Sequence, residues 1–473
     1  MDNMKFRVES DSVGEKNVPI GAYYGVNSLR AAENFTITGR TMHKEQIVSL
    51  AQIKKATAIA NNKAGLMTNE IKDAIIQACD EIMEGKLHDQ FICDPIQGGA
   101  GTSGNMNANE VIANRANEIL GGKLGAYDKV HPNDHVNMGQ STNDVFPTSG
   151  KITALKLIPR VLDELRKLYD VLIEKSKEFD DVIKMGRTQM QDAVPIRLGQ
   201  EFHAYSSAVK RDIVRIEKAF EELKTINMGG SAIGTGINVD TVYFEEIVPA
   251  ISEVVGIELK QAEDLVDGTQ NIECFVVASS ALKTAAVSLS KMANDLRLMS
   301  SGPRTGFGEI NLPPRQNGSS IMPGKINPVI PEVMSQVAFN IIGNDITITM
   351  AAEGGQLELN AFEPVVFYNL FESIETLANG VETFRENCIV GITANRERCK
   401  ALVDNSVGVI TAIVPHVGYK AAAKIADKAI ATGEPVRELV LKEGLLTEEG
   451  LNEILDAFAM TEPGIAAKHL LDE

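Results

Sequence analysis

The sequence lacks any run of about 18 apolar residues, the length that a membrane-crossing helix needs, so no span is expected. Its first 16 residues, MDNMKFRVESDSVGEK, are polar and lack the apolar stretch of a secretory signal. Cysteine is scarce and odd in number: Cys79, Cys93, Cys274, Cys388 and Cys399, none in a C-x-x-C pair. Free thiols in a reducing cytoplasm fit that usage better than a disulfide framework. Positive charge is also short. Against 64 Asp+Glu stand 46 Lys+Arg, a net charge of −18, which argues against a nucleic-acid scaffold or a polybasic membrane-surface protein. No Ser lies in a G-x-S-x-G elbow and no His adjoins the hydroxyl-rich stretches described below, so a hydrolase triad has no support. Gly229–Gly236 (GGSAIGTG) is neither a Walker loop nor a clear dinucleotide fingerprint, and reads as a turn over the site or in the helical core.

What is present is ordinary globular composition, 44% hydrophobic and 23% charged, patterned for helix. Leu155, Ile158, Leu162, Leu165, Tyr169 and Leu172 recur at spacings of three and four, one stripe of a helix. Val209, Ile213, Ile216, Phe220 and Leu223 repeat the pattern. The stretches 274–301, 329–353 and 361–387 read as further long helices. Two of them, 274–301 and 329–353, are rich in Ala, Ser, Val, Ile and Met with few charges. A helix apolar on most sides must be buried on most sides, so subunits that pool their long helices are expected. Residues 1–42 read as extended and turn-rich. Shorter helices are expected at about 43–64, 68–84 and 107–120, with Gly85 and Gly121 as C-caps. Helices shorten again after about 396, with a break at Gly433–Pro435. The chain therefore divides into a mixed, mainly helical segment 1–142, a long-helix segment 143–397 and a small helical segment 398–473.

Four stretches interrupt the helical pattern with small polar residues: Gly98–Asn107, His131–Asp144, Gly186–Asp192 and 302–328. The last holds five Gly and five Pro in 27 residues, and loops of that length between helices are usually lids or binding loops. Together the four supply hydroxyls (Thr102, Ser103, Ser141, Thr142, Thr188, Ser319, Ser320), amides (Asn143, Gln189, Asn327) and Lys325. That inventory suits an anionic ligand with planar carboxylates. It does not suit a metal cage, which wants clustered His, Cys or carboxylates. Plainer readings exist for single pieces. Ser141-Thr-Asn-Asp144 also reads as a helix N-cap with Asp144 in the first turn. His131 and His135 are four apart, but Pro132 argues against a helix presenting both, and satisfied loop histidines fit better than metal ligands.

Taken together, the stretches resemble the aspartase/fumarase superfamily, whose signature G-S-S-x-M-P-x-K-x-N is met by Gly318-Ser319-Ser320-Ile321-Met322-Pro323-Gly324-Lys325-Ile326-Asn327. The resemblance covers essentially the whole chain. It implies an all-α, mainly helical three-domain subunit whose long central helices form a 20-helix bundle in a homotetramer. Within the superfamily the chain resembles the aspartate ammonia-lyase branch. Gly101-Thr102-Ser103, Ser141-Thr142-Asn143 and Asn327-Pro-Val-Ile-Pro-Glu332 follow that branch, where fumarases read S-G-T-Q-S, S-S-N and N-P-T-Q-C-E. Gln189 stands where fumarases and some aspartases carry His. Met322-Pro-Gly-Lys325 departs from the M-P-Q-K or M-P-Y-K of argininosuccinate and adenylosuccinate lyases.

The activity implied is reversible deamination of L-aspartate to fumarate and ammonia, with a class II fumarase or a catalytically silent crystallin-like relative as alternatives. An intact Ser319, Lys325 and Asn327 set argues against the silent one. The resemblance assigns Ser319 as general base. Thr102, Ser141, Thr142 and backbone N–H groups around Ser319 and Ser320 would stabilise the aci-carboxylate intermediate. Lys325 and Asn327 would hold the α-carboxylate, and Asn143, Thr188 and Gln189 the amino group and neighbouring oxygens. The loop at about 302–328 would be a mobile lid. The implied partners are the dicarboxylate substrate and further copies of the chain, with no nucleic acid and no membrane. No cofactor is required, and activation by Mg2+ is compatible with the family.

Overall fold

The structure, a computed structural model, describes residues 5–471. Two compact units, each assembled from separate stretches of chain, make up the fold. Five long helices cross the sequence limits of the units, so each contributes residues to both. They are α5 (Thr142–Glu178), α6 (Leu198–Glu221), α9 (Glu273–Met299), α10 (Val329–Glu353) and α11 (Glu363–Asn387), and all five match stretches of 3.6-residue apolar periodicity.

The first unit comprises residues 1–162, 214–284 and 339–377. It opens with an antiparallel hairpin, β1 (Phe6–Asp11) and β2 (Gly14–Pro19), in register from Phe6↔Pro19 to Asp11↔Gly14. Then come α1 (Val26–Asn34), α2 (Lys44–Lys63), α3 (Asn69–Met83) and α4 (Thr102–Ile119). The extended reading of residues 1–42 holds for the hairpin but misses α1. Glu110 explains that helix: its carboxylate accepts from the backbone N–H groups of Gly25, Asn27 and Ser28, which satisfies the helix N-terminus from another element. Gly85 and Gly121 take left-handed φ values of 89° and 78°, as C-capping glycines do. A short parallel pair, β5 (Thr225–Ile226) and β6 (Lys260–Gln261), and the helices α7 (Thr241–Val255) and α8 (Leu265–Gln270) complete the unit. Phe146, Phe275, Phe367 and Phe371 pack with ring centroids 5.1–5.8 Å apart at its centre.

The second unit comprises 163–213, 285–338 and 378–473. It carries a hairpin, β3 (Ile183–Thr188) and β4 (Gln191–Arg197), and a two-residue pair, β7 (Ile310–Asn311) with β8 (Thr393–Ala394). Five short helices follow: α12 (Arg396–Asp404), α13 (Ile410–Val417), α14 (Tyr419–Thr432), α15 (Val436–Lys442) and α16 (Glu448–Ile454). Their core is Val403, Val409, Ile413, Ile425, Leu439, Val440, Leu451 and Ile454, with Met185 of β3 packed among them.

Four cysteines are buried and Cys274 is half-buried, all as free thiols. Among the described residues no helix is long and apolar enough to cross a membrane.

Candidate active site

Thr102, Ser141, Thr142 and Asn143 come together in the first unit because two helices start side by side. Gly99, Ala100 and Gly101 all take left-handed backbone conformations, at φ 88°, 56° and 86°. That tight turn starts α4 at Thr102, five residues earlier than the pattern of apolar residues indicates. A Cβ on Gly101 would lie 2.3 Å from the Phe146 ring, so glycine both permits the turn and lets α4 approach α5. The first turn of α5 is capped as its sequence suggests. Ser141 Oγ accepts from Asn143 N at 3.2 Å, and Asp144 Oδ1 accepts from Ser141 N at 2.9 Å. The plain N-cap reading is therefore correct. Two adjacent helix N-termini concentrate positive potential and free N–H groups, which suits a carboxylate.

Behind this surface lies a polar network that local sequence patterns did not reveal. Asn105 Nδ2 donates to Thr142 Oγ1 at 3.0 Å. A hydroxyl that accepts from inside the protein is free to donate outward. Asn105 also donates to Asn137 Oδ1 at 3.2 Å, which accepts from Lys54 Nζ at 2.8 Å. Lys54 donates further to Gln140 Oε1 at 2.8 Å and is 0% exposed. Burial pushes its ammonium down to about 7 and pushes the buried Asp144 carboxyl up to about 6. The Gly229–Gly236 stretch is the turn over this motif: Ser231 N donates to Asp144 Oδ2, and Asn143 Nδ2 donates to Ala232 O at 2.7 Å. His131 and His135 are satisfied in a single turn. His131 Nδ1 accepts from Asn133 N and Asp134 N, and His135 Nδ1 accepts from His131 N.

Thr188 and Gln189 sit at the tip of the β3–β4 hairpin of the second unit. Gln189 and Met190 form its two-residue turn, both left-handed, at φ 54° and 65°. Such turns favour Asn-Gly. Non-glycine residues here cost about 1–3 kcal/mol each, a form of strain typical of ligand-contacting sites.

Ser319, Ser320, Lys325 and Asn327 lie in the 302–328 loop of the same unit. The signature folds on itself: Asn327 Nδ2 donates to Gly318 O at 2.6 Å. A Cβ on Gly318 would lie 2.2 Å from Lys325 O, which accounts for the signature's first residue. Ser319 Oγ accepts from Ile321 N at 3.2 Å and Met322 N at 2.9 Å. Hydrogen bonds to an oxygen favour its anionic form. Ser320 and Lys325 are exposed. A cavity of about 340 Å³ is lined by Lys325, Asn327, Asn311, Pro313, Ser300 and Pro303. Among the described residues no three His, Cys, Asp or Glu side chains are grouped to hold a metal ion.

With these features in place, the comparisons are decisive. A family described as "Lyase" matches residues 14–343, and "Fumarase C C-terminus" matches 409–462. The chain belongs to the aspartase/fumarase superfamily of lyases. Among superfamily members, an aspartate ammonia-lyase of a Bacillus species is 55% identical over 466 residues, 98% of this chain and 100% of the relative. The aspartate ammonia-lyase of Bacillus subtilis is 55% identical, covering 99% of each chain. Two solved superfamily structures share the mainly helical fold. A fumarate lyase:delta crystallin from Brucella melitensis bound to cobalt is 48% identical with a TM-score of 0.94, over 97% of this chain and 100% of that one. A recombinant class II fumarase from Schistosoma mansoni is 36% identical with a TM-score of 0.93, at the same coverage.

Proposed function

We propose that the chain is a carbon–nitrogen lyase that reversibly deaminates L-aspartate to fumarate and ammonia. The observation that carries this reading is Ser319, whose Oγ accepts two backbone N–H groups inside the superfamily signature. Removing the proton beside a carboxylate is difficult because the carbanion pushes a second negative charge onto that group. Ser319 Oγ, as the alkoxide, takes the Cβ proton. The electron pair left behind moves into the β-carboxylate, which becomes an aci-carboxylate dianion. In this reading Thr102, Ser141, Thr142 and the N–H groups at Ser319 and Ser320 serve as its hydrogen-bond donors. The Thr142 hydroxyl, which accepts from Asn105, and the starts of α4 and α5 support that role. Lys325 and Asn327 hold the α-carboxylate. Asn143, Thr188 and Gln189 hold the amino group until the pair returns, the Cα–N bond breaks and ammonia leaves. The loop at 302–328 closes over the substrate and excludes water. A hydratase of this kind would need an acid at position 189, and the Gln189 amide has no proton to give at neutral pH.

In the same reading the chain has domains 1–142, 143–397 and 398–473 and works in the cytoplasm without a required cofactor. It assembles as a homotetramer around a 20-helix bundle. Support comes from α10, where Val333, Gln336, Phe339, Gly343, Ile346 and Met350 form one exposed stripe. Phe339, Ile346 and Met350 are 63%, 57% and 68% exposed, and large apolar side chains exposed along one helix stripe mark an interaction surface. The decisive assay follows fumarate absorbance with L-aspartate and, separately, L-malate. L-aspartate should be consumed, and fumarate with ammonia should give it back. Efficient hydration of fumarate with no ammonia incorporated would promote the fumarase reading instead.

A further inference from the structure

Gly186-Arg187 precedes Thr188 and the Gln189–Met190 turn, and the chemistry described above makes no use of Gly186 or Arg187. The β3–β4 register shifts between Met185 and Arg187, a bulge. A Cβ on Gly186 would lie 2.5 Å from Val194 O, so the bulge requires glycine. Bulges re-aim the side chain that follows them. Here the side chain is Arg187, whose Nη1 lies 2.8 Å from Glu309 Oε1. Its guanidinium also stands 4.1 Å from the centroid of Phe307, a stacked arrangement that suits arginine and not lysine.

Glu309 is at the root of the 302–328 loop and is 0% exposed. Its backbone is held on both sides: its N–H donates to Met299 O at 2.8 Å, and its carbonyl accepts from Asn395 N at 2.9 Å. The next two residues are β7, paired with β8. Asn311 and Asn395 exchange side-chain hydrogen bonds at 2.7 and 3.0 Å. The loop is thus clamped up to Asn311, and the signature lies beyond the clamp. Lys184 Nζ is 3.7 Å from Glu309 Oε2 and 3.1 Å from Glu201 Oε2. Two cations and two carboxylates therefore balance in a nearly dry cluster. In such a place, removing one partner leaves an uncompensated buried charge.

We propose that Arg187 is a positioning residue: through Glu309 and Phe307 it fastens Thr188 and the strained Gln189–Met190 turn to the root of the loop that carries Ser319 and Lys325. One side chain thereby sets the placement of two substrate-contacting segments. The proposal rests on the reading of those segments as parts of the active site. Without the fastening, the turn keeps its strand pairing and the Ser406–Asp192 bond, and the loop root keeps the Asn311–Asn395 exchange, but the link between the two is reduced to Lys184 at 3.7 Å from Glu309.

The test uses the full chain with Arg187→Met, Arg187→Lys, Arg187→Ala and Glu309→Gln. Hydrogen exchange read by mass spectrometry should show amides of both 186–192 and 306–311 exchanging about tenfold faster in Arg187→Met, with the helices unchanged. Deamination of L-aspartate should show a higher KM together with a lower kcat, and kcat/KM down by roughly 10–10³-fold, as misplacement by about 1 Å produces. Arg187→Lys should recover only part of this. Arg187→Ala should regain activity with added guanidinium chloride at concentrations that leave the wild type unaffected. Faster exchange in the hairpin alone, or unchanged kinetics in both Arg187→Met and Glu309→Gln, would overturn the proposal. A folded Arg187→Ala that guanidinium does not rescue would also overturn it. If the wild type has no lyase activity, the functional reading fails by itself, and the exchange arm still decides whether the fastening exists.

Discussion

Replacing Ser319 by Ala removes the atom on which two backbone N–H groups converge. The neutral hydroxyl already accepts both bonds, and a hydrogen bond to a charged group exceeds one to a neutral group by about 1 kcal/mol, so the pair favours the alkoxide by roughly 2 kcal/mol. A positioned general base contributes about 10²–10⁴-fold. Turnover of Ser319→Ala should therefore fall by about 10²–10⁴-fold. Ser319 contributes a loop hydroxyl and no core packing, so far-ultraviolet circular dichroism and the thermal midpoint should match the wild type. The assay is initial-rate fumarate formation on the same preparation used for the spectra. Release of the Cβ proton, followed as exchange with deuterated solvent, should be lost in parallel. Near-normal turnover, or proton exchange that persists while turnover is lost, would remove Ser319 from the role of base.

Lys325→Met should raise KM strongly, because a charge that stays on the carboxylate throughout acts on binding, with a loss of about 2–4 kcal/mol in kcat/KM if the closed loop desolvates the pair. A fall in kcat alone would refute the α-carboxylate assignment. Gly101→Ala should cost about 2–5 kcal/mol in urea unfolding, summing left-handed strain of about 1–2 with overpacking of about 1–3 against Phe146. Unchanged stability would show that the turn can relax. Lys54 gives a pH prediction. Its folded pKa of about 7 lies below the unfolded value of 10.5. Between pH 7 and 10 the unfolded chain therefore binds the extra proton, and stability rises with pH. Relative to Lys54→Met, the wild type should gain at most about 1.4 kcal/mol per pH unit over that window. A flat difference would mean that Lys54 stays charged when folded.

The long helices were legible because 3.6-residue periodicity persists over many turns, as in the stripe from Leu155 to Leu172 of α5. The capping of Ser141 by Asp144 was legible because both partners lie within four residues. What escaped the sequence depends on distant partners. The early start of α4 rests on a left-handed turn packed against Phe146, and α1 rests on Glu110. Lys54, beside Lys55 in α2, becomes part of the network behind the site only because Asn137 is folded against it. Gly186, Arg187 and Glu309 give no local signal that a bulge joins them. The signature loop is intermediate. Its residues were recognisable as a group, but not the ring that Asn327 closes on Gly318.

The buried thiols have a practical consequence. Burial pushes Cys93, Cys388 and Cys399 up to about 12, and raises Cys79 and Cys274 as well. At neutral pH they remain protonated and shielded, so alkylating reagents meet no ready nucleophile. The native chain is therefore a quiet background for site-directed labelling. Ile321, two residues after Ser319 and 83% exposed, could carry a single introduced cysteine with a fluorophore. That probe would report movements of the signature segment directly, in real time and without removing the five natural cysteines.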